Sequence, residues 1–240
     1  MSNQHIQAGA GEEPVGTEVA AEPVVFFEAA IVISLAVSIL CLFLFVWLGR
    51  EMRAGDTIRF DEAVRGWVHQ FASPGMTSLM KFISMMGAQV LAVVLLIAFL
   101  VFARLRWKRA AFWLAIAMIG ALVLEASLKY AYHRIRPPAY FVPEPQSYSF
   151  PSGHSLTSFC FYGVLAGLLT DRIKSLPWRI ALWTAAALLV IAIGLSRIYL
   201  GVHYPSDVLA GYLAATVWVG TIIVLDHVRK VRKGSKQVVS

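Results

Sequence analysis

Three short stretches of the chain hold residue types that can grip and cleave a phosphate ester. Residues 129–137 read KYAYHRIRP, residues 151–154 read PSGH, and residues 196–207 read SRIYLGVHYPSD. Clamps of lysine and arginine beside a helix N-terminus bind phosphate, and Lys129, Arg134, Arg136 and Arg197 supply the cations. Pro151 suits the first turn of a helix, which would set Ser152, Gly153 and His154 at its positive end. Gly153 permits close backbone approach and Ser152 adds a hydroxyl donor. Two histidines beside a phosphate, His154 and His203, suit a nucleophile and a proton donor. Asp207 follows His203 by four residues. If the chain between them is helical, the carboxylate lies beside the imidazole, where it fixes the tautomer and stabilises the imidazolium. Each stretch alone is a weak signal. PSGH also fits an ordinary turn, a basic span end also fits an interfacial anchor, and a lone histidine near a helix start is more often structural. Together, so much positive charge on one surface costs free energy unless an anion binds there.

A membrane bundle is what would gather them. The chain has 240 residues, 58% of them hydrophobic and 15% charged, with a mean hydropathy of +0.68. A soluble domain carries about 25% charged residues. Six apolar runs read as membrane spans, over residues 29–48, 82–103, 110–128, 155–170, 180–196 and 208–225. Each must be a helix, because lipid offers free backbone groups no partner. The expected fold is therefore all-α, an integral membrane bundle of six transmembrane helices. Cys41 and Cys160 lie inside apolar runs and read as small buried hydrophobes rather than a disulfide framework. The net charge of +7 is scattered over the loops between spans. Membrane topology explains that better than a nucleic-acid partner does.

Around this bundle, residues 1–28 are acidic, rich in Gly, Ala, Pro and Glu, and free of Lys and Arg. That is the composition of a disordered tail and not of a signal peptide. Residues 29–226 form the six-span domain and residues 227–240 a basic tail. Between the first two spans, TIRFDEAVRGWVHQF places Phe60, Val64, Trp67, Val68 and Phe71 at steps of three and four. The stripe predicts an amphipathic helix, lying in the membrane interface or packed on the bundle ends. Basic residues set the orientation. Arg104, Arg106, Lys108, Arg109, Arg172, Lys174, Arg179 and the tail lie on one side, in short loops that weigh most, so that side and both termini are expected in the cytoplasm. The three chemical stretches then face outward from the cell membrane.

These residues resemble the three-part signature of the phosphatidic acid phosphatase type 2 superfamily. Lys129-x6-Arg136-Pro137, Pro151-Ser152-Gly153-His154 and Ser196-Arg197-x5-His203-x3-Asp207 match it in order and spacing. The resemblance spans residues 129–207, and the six-span layout is similar to that of the membrane members. It implies that His203 attacks phosphorus and forms a phosphohistidine, that Asp207 orients it, and that His154 protonates the leaving oxygen. Lys129, Arg136, Ser152, Gly153 and Arg197 would hold the phosphoryl oxygens. It implies no metal or other cofactor. Zinc between the histidines and Asp207 is opposed by the cations around them. A site opening where headgroups lie predicts a lipid phosphate substrate, such as undecaprenyl diphosphate, phosphatidic acid or phosphatidylglycerol phosphate. A lipid phosphotransferase would share the same intermediate. An anion transporter would need charges spread through the bundle, and the first, second, fifth and sixth spans carry none internally.

Overall fold

The structure is a computed structural model that describes residues 22–238. Residues 1–21, most of the expected N-terminal tail, lie outside the described residues. The helices are α1 (Glu22–Ala54), α2 (Ile58–His69), α3 (Pro74–Met86), α4 (Gln89–Arg104), α5 (Lys108–Tyr132), α6 (Gly153–Thr170), α7 (Leu176–Tyr199) and α8 (Pro205–Val238). No strand occurs among the described residues, so the all-α expectation holds.

Five stretches are long and apolar enough to cross a membrane: Ile31–Ala54, Pro74–Arg104, Lys108–Tyr132, Leu176–Tyr199 and Pro205–Arg229. The fourth expected span, α6, is not among them. Its first turns carry His154, Ser155, Thr157 and Ser158, and it is enclosed by protein rather than lipid. It packs against α4, α5, α7 and α8, and half of its 18 residues are buried. The second expected span also differs. It begins at Pro74, where the Ser73 hydroxyl accepts from Met76 N at 3.2 Å, and it breaks between α3 and α4 at Gly87 and Ala88. A Cβ on Gly87 would lie 2.7 Å from Ile193 and 3.1 Å from the His154 ring, so the break leaves room for the site.

Two apolar clusters hold the bundle. In one, Phe45, Leu48 and Met52 of α1 meet Phe150, Leu156 and Cys160 and then Ala210, Ala214 and Ala215 of α8. In the other, α4, α5, α6 and α8 interlock around Phe102, Leu114, Phe161 and Ile222. Small residues at these contacts let helices approach closely, which is how helices associate where the solvent is itself apolar. An apolar cavity of about 490 Å³ opens between α1, α6, α7 and α8 beside Ser38, Phe159, Trp183 and Tyr212.

The amphipathic helix expected between the first two spans is α2, and its faces are arranged unexpectedly. It buries Asp61 and Arg65 and exposes Phe60, Trp67 and Phe71. The reason is the surface it covers: Asp61 meets Ser206 in the first turn of α8 and Arg134, and Arg65 donates to the Pro138 carbonyl at 3.1 Å. At the opposite end of the bundle Arg109 of α5 donates from Nε to Asp226 of α8 at 3.0 Å.

A candidate active site at one end of the bundle

The ends of α5, α6, α7 and α8 that lie beneath α2 bring the three signature stretches together. Helix α5 carries Lys129 in its last turn and stops at His133, whose left-handed φ of 49° caps it. The following segment, residues 134–152, wraps over the bundle end and delivers Arg134, Arg136 and Ser149. Helix α7 delivers Arg197 in its last turn, and the turn after it delivers His203.

His203 is 2% exposed and has a different polar partner at each ring nitrogen. Its Nε2 lies 3.0 Å from Arg136 Nη1. A guanidinium has donors only, so Nε2 must be the acceptor and the proton belongs on Nδ1. Nδ1 faces Asp207 Oδ2 and the Ser149 hydroxyl, each at a long 3.4 Å. Burial pushes the His203 pKa down to about 4, with Arg136 and Arg197 adding to the shift and Asp207 opposing it. The ring is therefore neutral at ordinary pH, with a basic Nε2 and a carboxylate behind it.

The His203–Asp207 contact was expected from helical spacing, and the structure makes it another way. Helix α8 starts only at Pro205. A turn closes the pair instead: Tyr204 N donates to Asp207 Oδ2 at 2.9 Å and Asp207 N donates to Tyr204 O at 3.0 Å. Asp207 is fully buried. Its Oδ2 also accepts from Ser149, and its Oδ1 accepts from Arg134 Nη1 at 2.6 Å.

The expected phosphate holders are all here, in different states of readiness. Arg197 is 8% exposed; it donates to Ser84 at 2.5 Å and its buried Nε has no partner. An unfilled guanidinium donor in such a place suits an oxyanion. Arg136 is fully engaged: it donates to the carbonyls of Ser147, Val202 and Tyr148, to the Ser147 hydroxyl and to His203. Burial lowers its pKa from the ordinary arginine value. As it stands it is a tie between two loops, and one of its five bonds reaches His203 Nε2. Lys129 pairs with Glu125 at 2.6 Å, with both side chains mostly enclosed. The Glu125 carboxylate rests against Gly153, in the space that any Cβ there would need.

Ser152 is the N-cap of α6, so Pro151 precedes the helix instead of occupying its first turn. The cap position explains this: the Ser152 hydroxyl accepts from Ser155 N at 3.4 Å, and its own backbone N donates to Asp207 O at 2.9 Å. That last bond needs α8 close to α6, and Gly211 permits it, since a Cβ there would lie 2.8 Å from Ser152 O. His154 is half-buried in the first turn of α6. A second cavity, of about 570 Å³, opens at this end beside Lys129, Arg136, Glu144, Gln146 and Tyr148. Tyr148 lines this pocket and meets the His133 ring edge-on at 4.6 Å. Tyr199 is buried, with its hydroxyl 2.9 Å from Thr77.

Sequence reasoning missed Asp61, Ser84 and Ser149. None stands at a diagnostic spacing from the signature residues, so no pattern signals them.

Comparison with known proteins gives a consistent picture. The family model for the PAP2 superfamily matches residues 110–230. The chain is 30% identical over 183 residues to an undecaprenyl-diphosphatase of Sulfolobus acidocaldarius, covering 74% of this chain and 81% of that protein. It is 31% identical over 160 residues to phosphatidylglycerophosphatase B of Bacillus subtilis, covering 63% and 76%. A crystal structure of a transmembrane PAP2-type phosphatidylglycerolphosphate phosphatase from Bacillus subtilis superposes with a TM-score of 0.72 at 26% identity, covering 79% of this chain and 96% of that one.

Proposed function

Because the chain belongs to the PAP2 superfamily, we propose that it is a membrane lipid phosphatase working through a phosphohistidine on His203. The observation that carries the proposal is the state of that residue. Its Nε2 is the acceptor nitrogen and its Nδ1 faces a buried carboxylate. In the reaction, Nε2 attacks phosphorus, and a P–N bond forms as the P–O bond to the lipid breaks. Arg136 must release Nε2 at this step and can turn that donor onto a phosphoryl oxygen. Arg197 Nε, Lys129 and the backbone at Gly153 hold the remaining oxygens. His154 gives the departing oxygen its proton. It then takes one from water, which cleaves the P–N bond and restores His203.

The substrate of this reading is an isoprenoid diphosphate or a glycerophospholipid phosphate, following the activities of the similar proteins. The apolar cavity beside Phe159 and Tyr212 supports a substrate with a hydrocarbon chain, because it runs along the same helices that carry the site. The bundle crosses the membrane six times, with α3 and α4 as one crossing and α6 as another. The site faces outward and both termini face the cytoplasm, and α2 lies in the outer interface. No metal takes part.

The test is phosphate release from phosphatidic acid, phosphatidylglycerol phosphate and undecaprenyl diphosphate by the purified protein, with and without a chelator. Turnover should survive the chelator. Acid quenching should trap a labelled phosphoenzyme in the wild type and none in His203→Ala. Undiminished turnover in His203→Ala would sink the mechanism.

A further inference from the structure

The buried face of α2 carries a charge that the proposed mechanism does not use. Asp61 is completely buried. Its Oδ1 accepts from Ser206 N at 2.9 Å, and its Oδ2 accepts from the Ser206 hydroxyl and from Arg134 Nη2, both at 2.7 Å. Ser206 N is one of the unpaired donors of the first turn of α8, a place where a carboxylate is favoured. Arg134 then continues the chain. Its Nη1 reaches Asp207 Oδ1 at 2.6 Å and Ser206 at 2.7 Å. The guanidinium is clamped between the two carboxylates, with Tyr204 stacked at 4.1 Å and Thr57 at 3.3 Å. So one cation is shared by two buried anions, and one of those anions is the partner of His203.

We propose that Asp61 is a positioning residue for catalysis, setting the basicity of His203 by holding part of the Arg134 charge away from Asp207. The inference rests on the phosphohistidine reading above. Asp61 lines neither cavity, and its hydrogen bonds go to Ser206 and Arg134 rather than to His203. It acts through geometry: Arg134 must satisfy both carboxylates at once, which fixes Asp207 Oδ1 and leaves Oδ2 to Nδ1. The sharing also sets the field. Charged groups acting on His203 include Asp207 from α8, Arg136 from the 134–152 segment and Arg197 from α7, and His154 of α6 shares the same centre. Arg134 reaches it through Asp207. Asp61 and Asp207 together hold the Arg134 guanidinium above the ordinary arginine value against the opposing effect of burial, so the clamp stays charged at every working pH.

Two variants separate this role from simple docking of α2. In Asp61→Asn the whole Arg134 charge falls on Asp207, so His203 becomes harder to protonate. The acid limb of kcat/KM should move down by roughly 0.5–1 pH unit, the scale of a unit charge lost at about 10 Å in a screened interior. In Arg134→Gln, Asp207 is left unshared and the limb should move up by a similar amount. In both, kcat should fall by roughly 10–100-fold, the range typical of second-layer partners, while KM stays within about twofold because neither residue holds phosphate. Opposite shifts are the signature, since a purely structural defect lowers activity without moving the limb in two directions. Should Asp61→Asn not yield folded protein, the double variant D61N/R134Q is compared with R134Q, and the two limbs must coincide, because without Arg134 Asp61 has no charge to hold; a separate shift in the double variant overturns the inference. Unmoved limbs, or limbs moving together, overturn the inference while leaving the phosphohistidine intact. Activity in His203→Ala would instead overturn the reading on which it stands.

Discussion

His203 sits in its pocket as a neutral ring, and this governs what pH does to the enzyme. Its pKa of about 4 lies below the ordinary 6.5. The nucleophilic form therefore persists as pH falls through 6.5 and is lost only as pH falls through about 4. The acid limb of kcat/KM, after correction for the substrate's own titration, should lie near pH 4. A limb near 6.5 would contradict the buried geometry. His154 answers to a different comparison. A phosphomonoester leaves as an alkoxide, basic enough (conjugate acid pKa about 15–16) to need a proton. A lipid diphosphate leaves as a phosphate monoester with a pKa of about 6 and barely needs one. His154→Ala should therefore cost about 10²–10⁴ on phosphatidic acid and far less on an isoprenoid diphosphate in single-turnover measurements. Equal losses would make His154 a phosphate holder. The eight signature residues were legible in the sequence because their types and spacings are local. Asp61 was not, since its partner Ser206 stands 145 positions away and only folding joins them. Ser149 is invisible for the same reason.

Helix α6 shows what the elements contribute. Its N-terminus is crowded and its middle is loose, and two glycines on this one helix test the difference. Gly153 has the Glu125 carboxylate in the space of a side chain, whereas a Cβ on Gly163 would meet only Phe159, at 4.0 Å. Gly153→Ala should abolish most turnover by displacing Glu125 and, with it, Lys129. Gly163→Ala should leave Glu125 and Lys129 in place and raise helix stability by about 0.5–1 kcal/mol, read as a higher Tm of the detergent-solubilised protein. If Gly153→Ala stayed fully active, the close packing of α5 on α6 would play no part in catalysis. At this scale the sequence was readable where lipid is the solvent and less so where protein is. Helices α1, α5, α7 and α8 follow the apolar runs, because their outer faces must be apolar. The run at 155–170 marked α6 as well, but its polar first turns keep it out of the stretches apolar enough to span, because its neighbours, and not lipid, surround them. The break at Gly87 escaped because its cause is a contact with His154 and Ile193, which no local pattern encodes. For α2 the periodicity was right and the direction unforeseen, since two charged side chains are the ones turned inward.

For the whole molecule, the proposed orientation makes a prediction of its own. Gln146 is exposed at the site end and Lys174 at the opposite end. In a background without Cys41 and Cys160, a cysteine at position 146 should react with an impermeant reagent applied to intact cells. One at position 174 should react only after lysis. The reverse pattern would turn the site toward the cytoplasm. The packing of α1 against α8 has a different sort of consequence. A ribosome delivers these two helices at opposite ends of synthesis. Phe45, Leu48 and Met52 must therefore wait in the bilayer with only part of their final packing until Ala210 and Ala214 arrive. Asp207 arrives on that same late helix, after His203 and long after Lys129. The chain thus completes its α1–α8 cluster and its His203–Asp207 pair in one closing event, and a nascent chain halted before α8 has neither.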